Sequence, residues 1–384
     1  MTILNRHRSA LAVATTGVLA AAGLAASPVA VAQGGAAHRH APAARMTVVA
    51  RGLNNPRLLT MSGHALYVAE AGRGGGKKHC IPTDEGKKCV GMTGSITWLR
   101  GGKQRRVVRH LPSLAAPDHT AALGPADVLV RSGHVVISMG AGIDKHQRRM
   151  LGTGGRMLGT IIRTSLANPG HRGMMADVVQ FEWKHNPDHS KAHDSDPTGI
   201  APTRHAIMLT DSGGNDLLRI HRTGGTRTVA VFPDRMVSNP LPGPAMVPMQ
   251  AVPTAVARAR HAWFVSQLTG FPFPVGASNI YRLRPGHKPQ VWARGLTNVT
   301  DIAWHKGRLY AVQIADSGLL PVFTQGKPAI GSLIRVHRGD NSSPHVVAGG
   351  LTAPYGVALR GSSAYVTTCS VCPGGGQVVR VPIR

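Results

Sequence analysis

The sequence predicts an all-β protein, namely a six-bladed β-propeller with four-stranded antiparallel blades. Three observations carry this prediction: a sixfold internal repeat, strand-like apolar runs inside each repeat, and a segment near the N-terminus that is repeated near the C-terminus. Four-stranded units that recur every few tens of residues are typical of propeller blades.

The repeat becomes visible when the chain is aligned on one anchor residue in each unit. From Met46 to Arg384 there are 339 residues, or about 56 for each of six units. The residue eleven positions after each anchor is apolar or aromatic, which favours a buried strand there. The anchors are Pro56, Pro125, Pro197, Pro253, Val299 and Pro354, and the residues eleven positions later are Tyr67, Val136, Met208, Phe264, Tyr310 and Tyr365.

Each repeat contains two apolar runs separated by a short break, followed by further strand-like runs. Gly63, Gly133, Gly307 and Gly361 occupy such breaks and indicate tight hairpin turns. In the second repeat, GTIIRT and DVVQFE are predicted as the third and fourth strands. Each unit therefore reads as a four-stranded antiparallel sheet.

The two ends of the chain carry related segments, which predicts how the ring closes. VVARGLNNP precedes the first anchor and VVAGGLTAP precedes the last, whereas the last repeat has only three strands after its anchor. We therefore expect the N-terminal strand to complete the last blade, beside residues 377–383. Such closure removes an exposed sheet edge.

The first residues predict export from the cell. Arg6 and Arg8 precede an apolar, alanine-rich run, and Ala30-Val31-Ala32 resembles a signal-peptide cleavage site. The run is too short to span a bilayer, which requires about 20 apolar residues. We predict a signal peptide over residues 1–32, a flexible leader over 33–45, a single propeller domain over 46–384, and a secreted protein without a membrane span.

The chain is strongly basic, with 44 Lys and Arg against 17 Asp and Glu and a formal net charge of +27. This charge favours an anionic partner such as a cell-envelope polymer, although basic residues scattered along the chain also fit a solvated surface. Aromatic residues make up only 4% of the chain, which argues against a stacking platform for nucleic acid. We expect a monomer that does not bind nucleic acid.

Four cysteines in an exported protein predict disulfides. The simplest pairing joins Cys80 to Cys89 and Cys369 to Cys372. A metal site made of all four cysteines is the alternative, but only the second pair has the CxxC spacing that such sites use.

If each anchor begins the innermost strand, the long connections all lie on one face, here called the top face. They span residues 71–93, 140–158, 183–196, 233–252, 268–278 and 314–330, and such loops usually carry the binding site. Polar side chains recur at the channel mouth and form the candidate ligand-binding set: Asn55, Glu70, Asp127, Asp196, Asp211, Gln267, Asp301 and Gln313.

Four of these side chains, Glu70, Asp127, Asp211 and Asp301, are carboxylates that could hold Ca²⁺ or another divalent cation. Their alternative role is structural, because carboxylates at strand ends also accept hydrogen bonds from loop amides.

The pattern GLxxPxG followed by LYVAExG, together with NPD, DSDPTGIA and GGGQVVRVPI, resembles the ScyD/ScyE family of exported proteins and, more distantly, NHL-repeat propellers. The resemblance covers nearly the whole chain after residue 47 and implies a six-bladed propeller. It supplies no catalytic residues.

The sequence leads to three expectations for function. The first is a secreted propeller that binds a small ligand or an anionic envelope component through its top-face loops. The second is a metal-dependent hydrolase or lactonase like the six-bladed gluconolactonases, with Glu70, Asp127, Asp211 and Asp301 holding the ion. The third is a binder of nucleic acid or another anionic polymer, whose affinity would fall steeply with salt.

Overall fold

The computed structural model describes residues 46–76, 78–83, 86–259 and 261–383. The predicted signal peptide and leader, residues 1–45, lie outside the described residues. The described chain forms a six-bladed β-propeller, as predicted, and each blade is an antiparallel sheet of at least four strands.

The first three blades follow one another along the chain. In blade 1 a short additional strand, β4, pairs with the long third strand, β5. The strands are β2 (Pro56–Ser62), β3 (Ala65–Glu70), β4 (Cys80–Thr83), β5 (Gly86–Arg100) and β6 (Lys103–Ala115) in blade 1; β7 (Pro125–Arg131), β8 (His134–Met139), β9 (Thr160–Ser165) and β10 (Gly173–Asp177) in blade 2; and β11 (Pro197–Pro202), β12 (Ala206–Asp211), β13 (Asp216–His221) and β14 (Thr226–Val231) in blade 3.

A small hairpin, β15 (Arg235–Ser238) and β16 (Met246–Met249), separates blade 3 from the last three blades. A two-residue strand, β24 (Gly339–Asp340), adds to the outer edge of blade 4 in parallel. The remaining strands are β17 (Pro253–Ala259), β18 (Ala262–Gln267), β19 (Ser278–Leu283) and β20 (Gln290–Leu296) in blade 4; β21 (Val299–His305), β22 (Arg308–Gln313), β23 (Ile330–Val336) and β25 (His345–Thr352) in blade 5; and β26 (Val357–Arg360), β27 (Ser363–Thr368), β28 (Pro373–Pro382) and β1 (Thr47–Asn54) in blade 6.

The N-terminal strand closes the ring as predicted. Strand β1 pairs antiparallel with β28 as the outermost strand of blade 6, with Thr47 opposite Arg380. The first strands of the six blades contact one another in sequence, and β26 returns to β2. The two related segments at the chain ends therefore lie in neighbouring blades.

The hydrophobic core is divided among the interfaces between blades. Ile96 and Val128 belong to a cluster between blades 1 and 2. Leu66 and Val378 belong to the cluster between blades 1 and 6, on either side of the ring closure. Burial of these apolar faces against each other holds the ring together.

Hydroxyl groups on or beside the two inner strands of five blades add polar links between neighbouring blades. In each case a Ser or Thr side chain donates to a backbone carbonyl of the next blade, which satisfies a buried carbonyl without water. The donors and acceptors are Ser138 to Thr198 O at 2.5 Å, Ser212 to Pro253 O at 2.6 Å, Thr254 to Val299 O at 2.9 Å, Thr300 to Tyr355 O at 2.6 Å and Thr367 to Arg57 O at 2.8 Å.

The four glycines at the predicted hairpin turns lie on the bottom face, opposite the long connections. They adopt positive φ, between 59° at Gly63 and 78° at Gly307. Glycine reaches this region without the steric cost that other residues meet. The tight turns keep the bottom face short, so the long connections gather at the top.

Short helices lie within or beside the long connections: α1 (Lys145–Met150), α2 (Gly152–Gly155), α3 (Val178–His185) and α4 (Leu320–Gln325). The prediction of a strand over DVVQFE is wrong, because that run forms most of α3. Asp177 caps the helix by accepting a hydrogen bond from Gln180 N at 2.9 Å, and Asn186 ends it in the left-handed region.

Both local disulfides are present, Cys80 to Cys89 and Cys369 to Cys372. With all four sulfurs in disulfides, the cysteines do not form the alternative metal site. Among the described residues, no helix has the length and apolar character needed to cross a membrane.

Candidate functional site

The polar residues predicted at the channel mouth occupy the predicted strand positions, and several of them hold backbone groups. Glu70, Asp211, Gln267 and Gln313 each end the second strand of a blade. Asp211 accepts from Asp196 N at 2.6 Å, Gln267 from Asn279 N at 3.2 Å, and Gln313 from Thr297 N at 2.8 Å. The contacts of Asp211 and Gln313 tie connecting segments to the blades, whereas Gln267 links β18 to β19.

Glu70 joins the two ends of the ring. Its side chain is fully buried and accepts from Asn54 N in β1 at 2.7 Å. Arg106 of β6 donates to both carboxylate oxygens, at 3.0 Å and 2.8 Å, and also to Gly52 O in β1. The pair therefore links the closing strand to blade 1.

Asp127 and Asp301 occupy equivalent positions in blades 2 and 5 and make the same contacts. Each accepts from the backbone N–H of the next residue and from that of a residue in the neighbouring blade: Ile200 N to Asp127 at 2.9 Å and Val357 N to Asp301 at 2.7 Å. Both border a void of about 110 Å³ in the channel. Burial raises the pKa of Asp127 to about 7 and raises the pKa of Asp301 well above its usual value.

Asn55 and Asp196 each precede an anchor proline, and their side chains form hydrogen bonds with loop segments. Asn55 Nδ2 donates to Gly72 O at 2.7 Å and to His119 O at 2.9 Å. Asp196 Oδ1 accepts from Ala141 N at 2.8 Å.

The predicted metal set is not gathered around one point. In the described part of the chain, no group of three or more His, Cys, Asp or Glu side chains is placed to hold a metal ion. Glu70 is bound to Arg106, and Asp127 and Asp301 lie lower in the channel with backbone partners. A metal ion held by these four carboxylates stays a prediction.

The principal cavity lies on the top face, between the long loops, and has a volume of about 1540 Å³. Of the eight residues predicted to bind ligand, Asp196 alone lines it. This size falls above the range of about 300–1,000 Å³ that is usual for small-molecule pockets. It has room for a drug-sized molecule together with water.

One wall of the cavity is apolar. It is built by the connection after β18, by α4 and by the Cys369–Cys372 loop, and it includes three of the six phenylalanines of the chain. The Phe273 ring packs against the Phe323 ring with centroids 5.1 Å apart. The wall residues are Phe271, Phe273, Leu319, Val322, Phe323 and Val371.

The opposite wall is polar and acidic, although the protein as a whole is basic. Its carboxyl groups come from the connections within and after blades 2 and 3. Burial raises the pKa of Asp194 to about 7, with Asp211 adding repulsion. The acidic residues that line the cavity are Asp144, Asp188, Asp194, Asp196 and Asp234, and the basic ones include Arg57, Lys88 and Lys327.

Arg57 and Tyr355 form the polar floor of the cavity. The Arg57 guanidinium lies 4.7 Å from the centroid of the Tyr355 ring and donates to Ala122 O at 2.5 Å. Burial raises the pKa of Tyr355, and the charge of Arg57 opposes this. Burial also raises the pKa of Asp196, against its hydrogen bond from Ala141 and the charges of Lys88 and Arg57. Opposite charges and a phenol thus meet beside an apolar wall.

Sequence reasoning missed Arg57, Tyr355 and the phenylalanines, although the sequence carries a signal for each. The position after the anchor holds Thr198, Thr254 and Thr300 in blades 3 to 5. In the neighbouring blades 6 and 1 it holds Tyr355 and Arg57, which are too large for the same inward contact. The motif FPFP, residues 271–274, places two aromatic rings in one top loop of an aromatic-poor chain.

No family model matches the chain, and no curated protein matches it. The resemblance to the ScyD/ScyE family therefore stays a prediction.

Several solved structures are similar to this one at low sequence identity and with TM-scores below 0.5. A gluconolactonase from Xanthomonas campestris is 13% identical with a TM-score of 0.48, over 89% of this chain and 90% of that one. A streptogramin B lyase is 11% identical with a TM-score of 0.46, over 88% of this chain and 98% of that one. A catalytically inactive virginiamycin B lyase from Staphylococcus aureus, solved with quinupristin, is 11% identical with a TM-score of 0.42, over 88% and 99%. At these identities the likeness concerns the fold and does not assign an activity.

Proposed function

We propose that this protein binds a small amphiphilic molecule in the top-face cavity. The observation that carries the proposal is the division of a cavity of about 1540 Å³ into an apolar wall and a charged floor. Binding sites for small molecules combine an apolar lining with a few convergent polar groups in this way. The apolar body of the ligand would lie against Phe271, Phe273 and Phe323, and its polar end beside Arg57, Tyr355 and Asp196.

The lining favours a small molecule over an anionic polymer. Five of the 17 acidic residues of the chain line this cavity. Carboxylates along one wall would repel a long polyanion, whereas one anionic or hydrogen-bonding end group can be placed at Arg57. We also propose secretion, which the two disulfides support because disulfides persist in oxidising compartments.

The metal-dependent hydrolase is the second candidate, and the contacts give it less support. It needs carboxylates that converge on one ion. Glu70, Asp127 and Asp301 instead use their oxygens to hold Arg106 and backbone N–H groups of adjacent blades.

Two fluorescent dyes test the proposal. Nile red is neutral and apolar, whereas anilinonaphthalene sulfonate adds an anionic group to an aromatic body. Wild-type protein should bind both. Phe323→Ala should weaken the binding of both by about tenfold, because it removes an aromatic contact worth roughly 1 kcal/mol or more. Arg57→Gln should weaken the anionic dye alone.

Matched controls come from elsewhere in the propeller. Arg258 also lies over an aromatic ring, that of Trp263 at 5.5 Å, and Val291 is an exposed apolar residue of β20. Arg258→Gln and Val291→Ala should leave both dyes bound as in the wild type. The proposal is wrong if neither dye binds, or if Phe323→Ala and Arg57→Gln bind both dyes as tightly as the controls do.

A further inference from the structure

The turn between β12 and β13 is surrounded by carboxyl groups. Asp211 and Asp216 face each other directly across the two strands, so their side chains share one face of the sheet. Glu182 of α3 reaches the same turn: a Cβ built on Gly214 would lie 2.8 Å from Glu182 Oε2 and 3.5 Å from Asp211 Cγ. Asp188 accepts from Asn215 Nδ2 at 3.0 Å.

Two of these carboxyl groups are buried and have oxygens without a hydrogen-bond partner in the described part of the chain. Asp216 is 0% exposed, and neither of its oxygens has a hydrogen-bond partner among the described residues. Glu182 is 1% exposed, and its Oε1 also has no such partner. Buried charges in proteins are normally paired or bound to a metal, because removing them from water is costly.

Among the residues that the structure describes, no basic side chain is found to offset this charge. Burial raises the pKa of Asp216 and of Glu182, and repulsion from neighbouring carboxylates raises both further. Blade 1 provides a contrast at the equivalent place, where Glu70 lies opposite Ser95 and is bound to Arg106. Blade 3 has Asp216 in place of that serine, and α3, in the connection from blade 2 to blade 3, adds Glu182.

We propose that Glu182, Asp211 and Asp216 bind a divalent cation of the calcium class at the top of blade 3. The donor set consists of oxygens alone, which suits a hard cation that takes six to eight oxygen ligands. As the side chains stand, no three of them converge on one point. Glu182 Oε1 and the Asp216 oxygens are not held by hydrogen bonds, so these two groups can turn toward Asp211 when the ion binds.

Such an ion would connect α3 to the β12–β13 turn and so hold one wall of the cavity. Asp188 and Asp194, which follow α3 along the chain, both line the cavity. The site does not depend on the proposed function, since a cation here and a dye in the cavity are measured separately.

Calcium binding to the full chain tests the proposal. Protein stripped with EDTA should bind about one Ca²⁺ per chain in a calorimetric titration, and the ion should raise its melting temperature at constant ionic strength. Asp216→Asn and Glu182→Gln should each weaken Ca²⁺ binding by about tenfold or more, because each removes a charged ligand. In EDTA, Asp216→Asn should melt at a higher temperature than the wild type, because it removes an unpaired buried charge.

Asp340→Asn is the matched control, since Asp340 is an exposed aspartate of blade 4 that is bound to Ser342. It should bind Ca²⁺ as the wild type does. The proposal is overturned if Ca²⁺ gives no heat of binding in calorimetry and no change in the melting temperature of the wild type. That result would mean that protons neutralise the cluster. It is equally overturned if both variants bind Ca²⁺ with wild-type affinity, which would place the ion elsewhere.

Discussion

The residue after each anchor has two different roles around the ring. Thr254 and Thr300 use this position to donate to a carbonyl of the next blade. Arg57 and Tyr355 use it to build the cavity floor, and Thr367 Oγ1 supplies the link to Arg57 O instead. The propeller thus keeps its inter-blade links while two adjacent blades provide large polar side chains to the cavity floor.

Asp127 makes the stability of the propeller depend on pH. Its folded pKa, about 7, lies above the ordinary value of 3.8 because the carboxyl is buried. Because its pKa is higher in the folded state than in the unfolded state, Asp127 contributes stability that is fully present below about pH 4. This contribution is lost as the pH rises through about 7. The full effect is at most about 4 kcal/mol.

Asp127→Asn should remove this dependence. Relative to that of the wild type, the free energy of unfolding of the variant should increase between about pH 5 and about pH 8, because only the wild type loses stability over this range. Urea unfolding at the two pH values measures the change, and Asp340→Asn, at an exposed site, should show none. An equal difference at both pH values for Asp127→Asn would show that its carboxyl titrates normally.

At the scale of elements, a partly exposed ion pair ties the closing strand to blade 1, in addition to the pairing of that strand with β28. Arg106 bridges Glu70 and Gly52 O, so it contacts both blade 1 and β1. Arg106→Gln should therefore destabilise the protein by about 2 kcal/mol, less than the 3–5 kcal/mol of a fully buried pair, since the Arg106 side chain is 36% exposed.

Arg105 provides the matched comparison on the same strand. Its guanidinium lies 5.2 Å from the Trp98 ring centroid at the surface, a contact worth about 1 kcal/mol or less. In urea unfolding, Arg106→Gln should lose clearly more stability than Arg105→Gln. Equal losses would mean that the Glu70 contact does not secure the ring.

The strands were more predictable from the sequence than the site. Strands β2, β7, β11, β17 and β21 begin at the predicted anchors, because a proline or valine followed by an apolar run marks the innermost strand in each repeat. The last blade departs from this, with β26 starting at Val357, three residues after Pro354. The run DVVQFE was misassigned because its apolar residues fit either a strand or a helix, and Asp177 capping Gln180 N decides for the helix.

The cavity was less predictable because its residues come from loops of different blades. The repeat pattern located the top loops, but the register does not show which way a loop side chain points. Their charge and their position at strand ends predict Glu70 and Asp211 as ligand-binding residues. In the structure, both accept hydrogen bonds from backbone N–H groups of neighbouring segments. Phe273 and Phe323, from separate connections, meet only in the folded protein.

At the scale of the whole molecule, charge and apolar surface are segregated. The chain carries a net charge of +27, whereas the top-face cavity is lined by five acidic residues and an aromatic wall. The rigid ring of blades holds these loops at fixed positions, and binding sites are often built on such scaffolds. We therefore propose that the protein binds its ligand in this cavity.

Hydrogen exchange with and without saturating Nile red tests that claim most directly. We predict slower exchange of backbone amides in residues 268–278, 319–326 and 369–373, and unchanged exchange in the outer strands β6, β14 and β20. Slower exchange confined to outer strands, or no change anywhere in the top-face loops, would contradict the assignment of the cavity as the binding site.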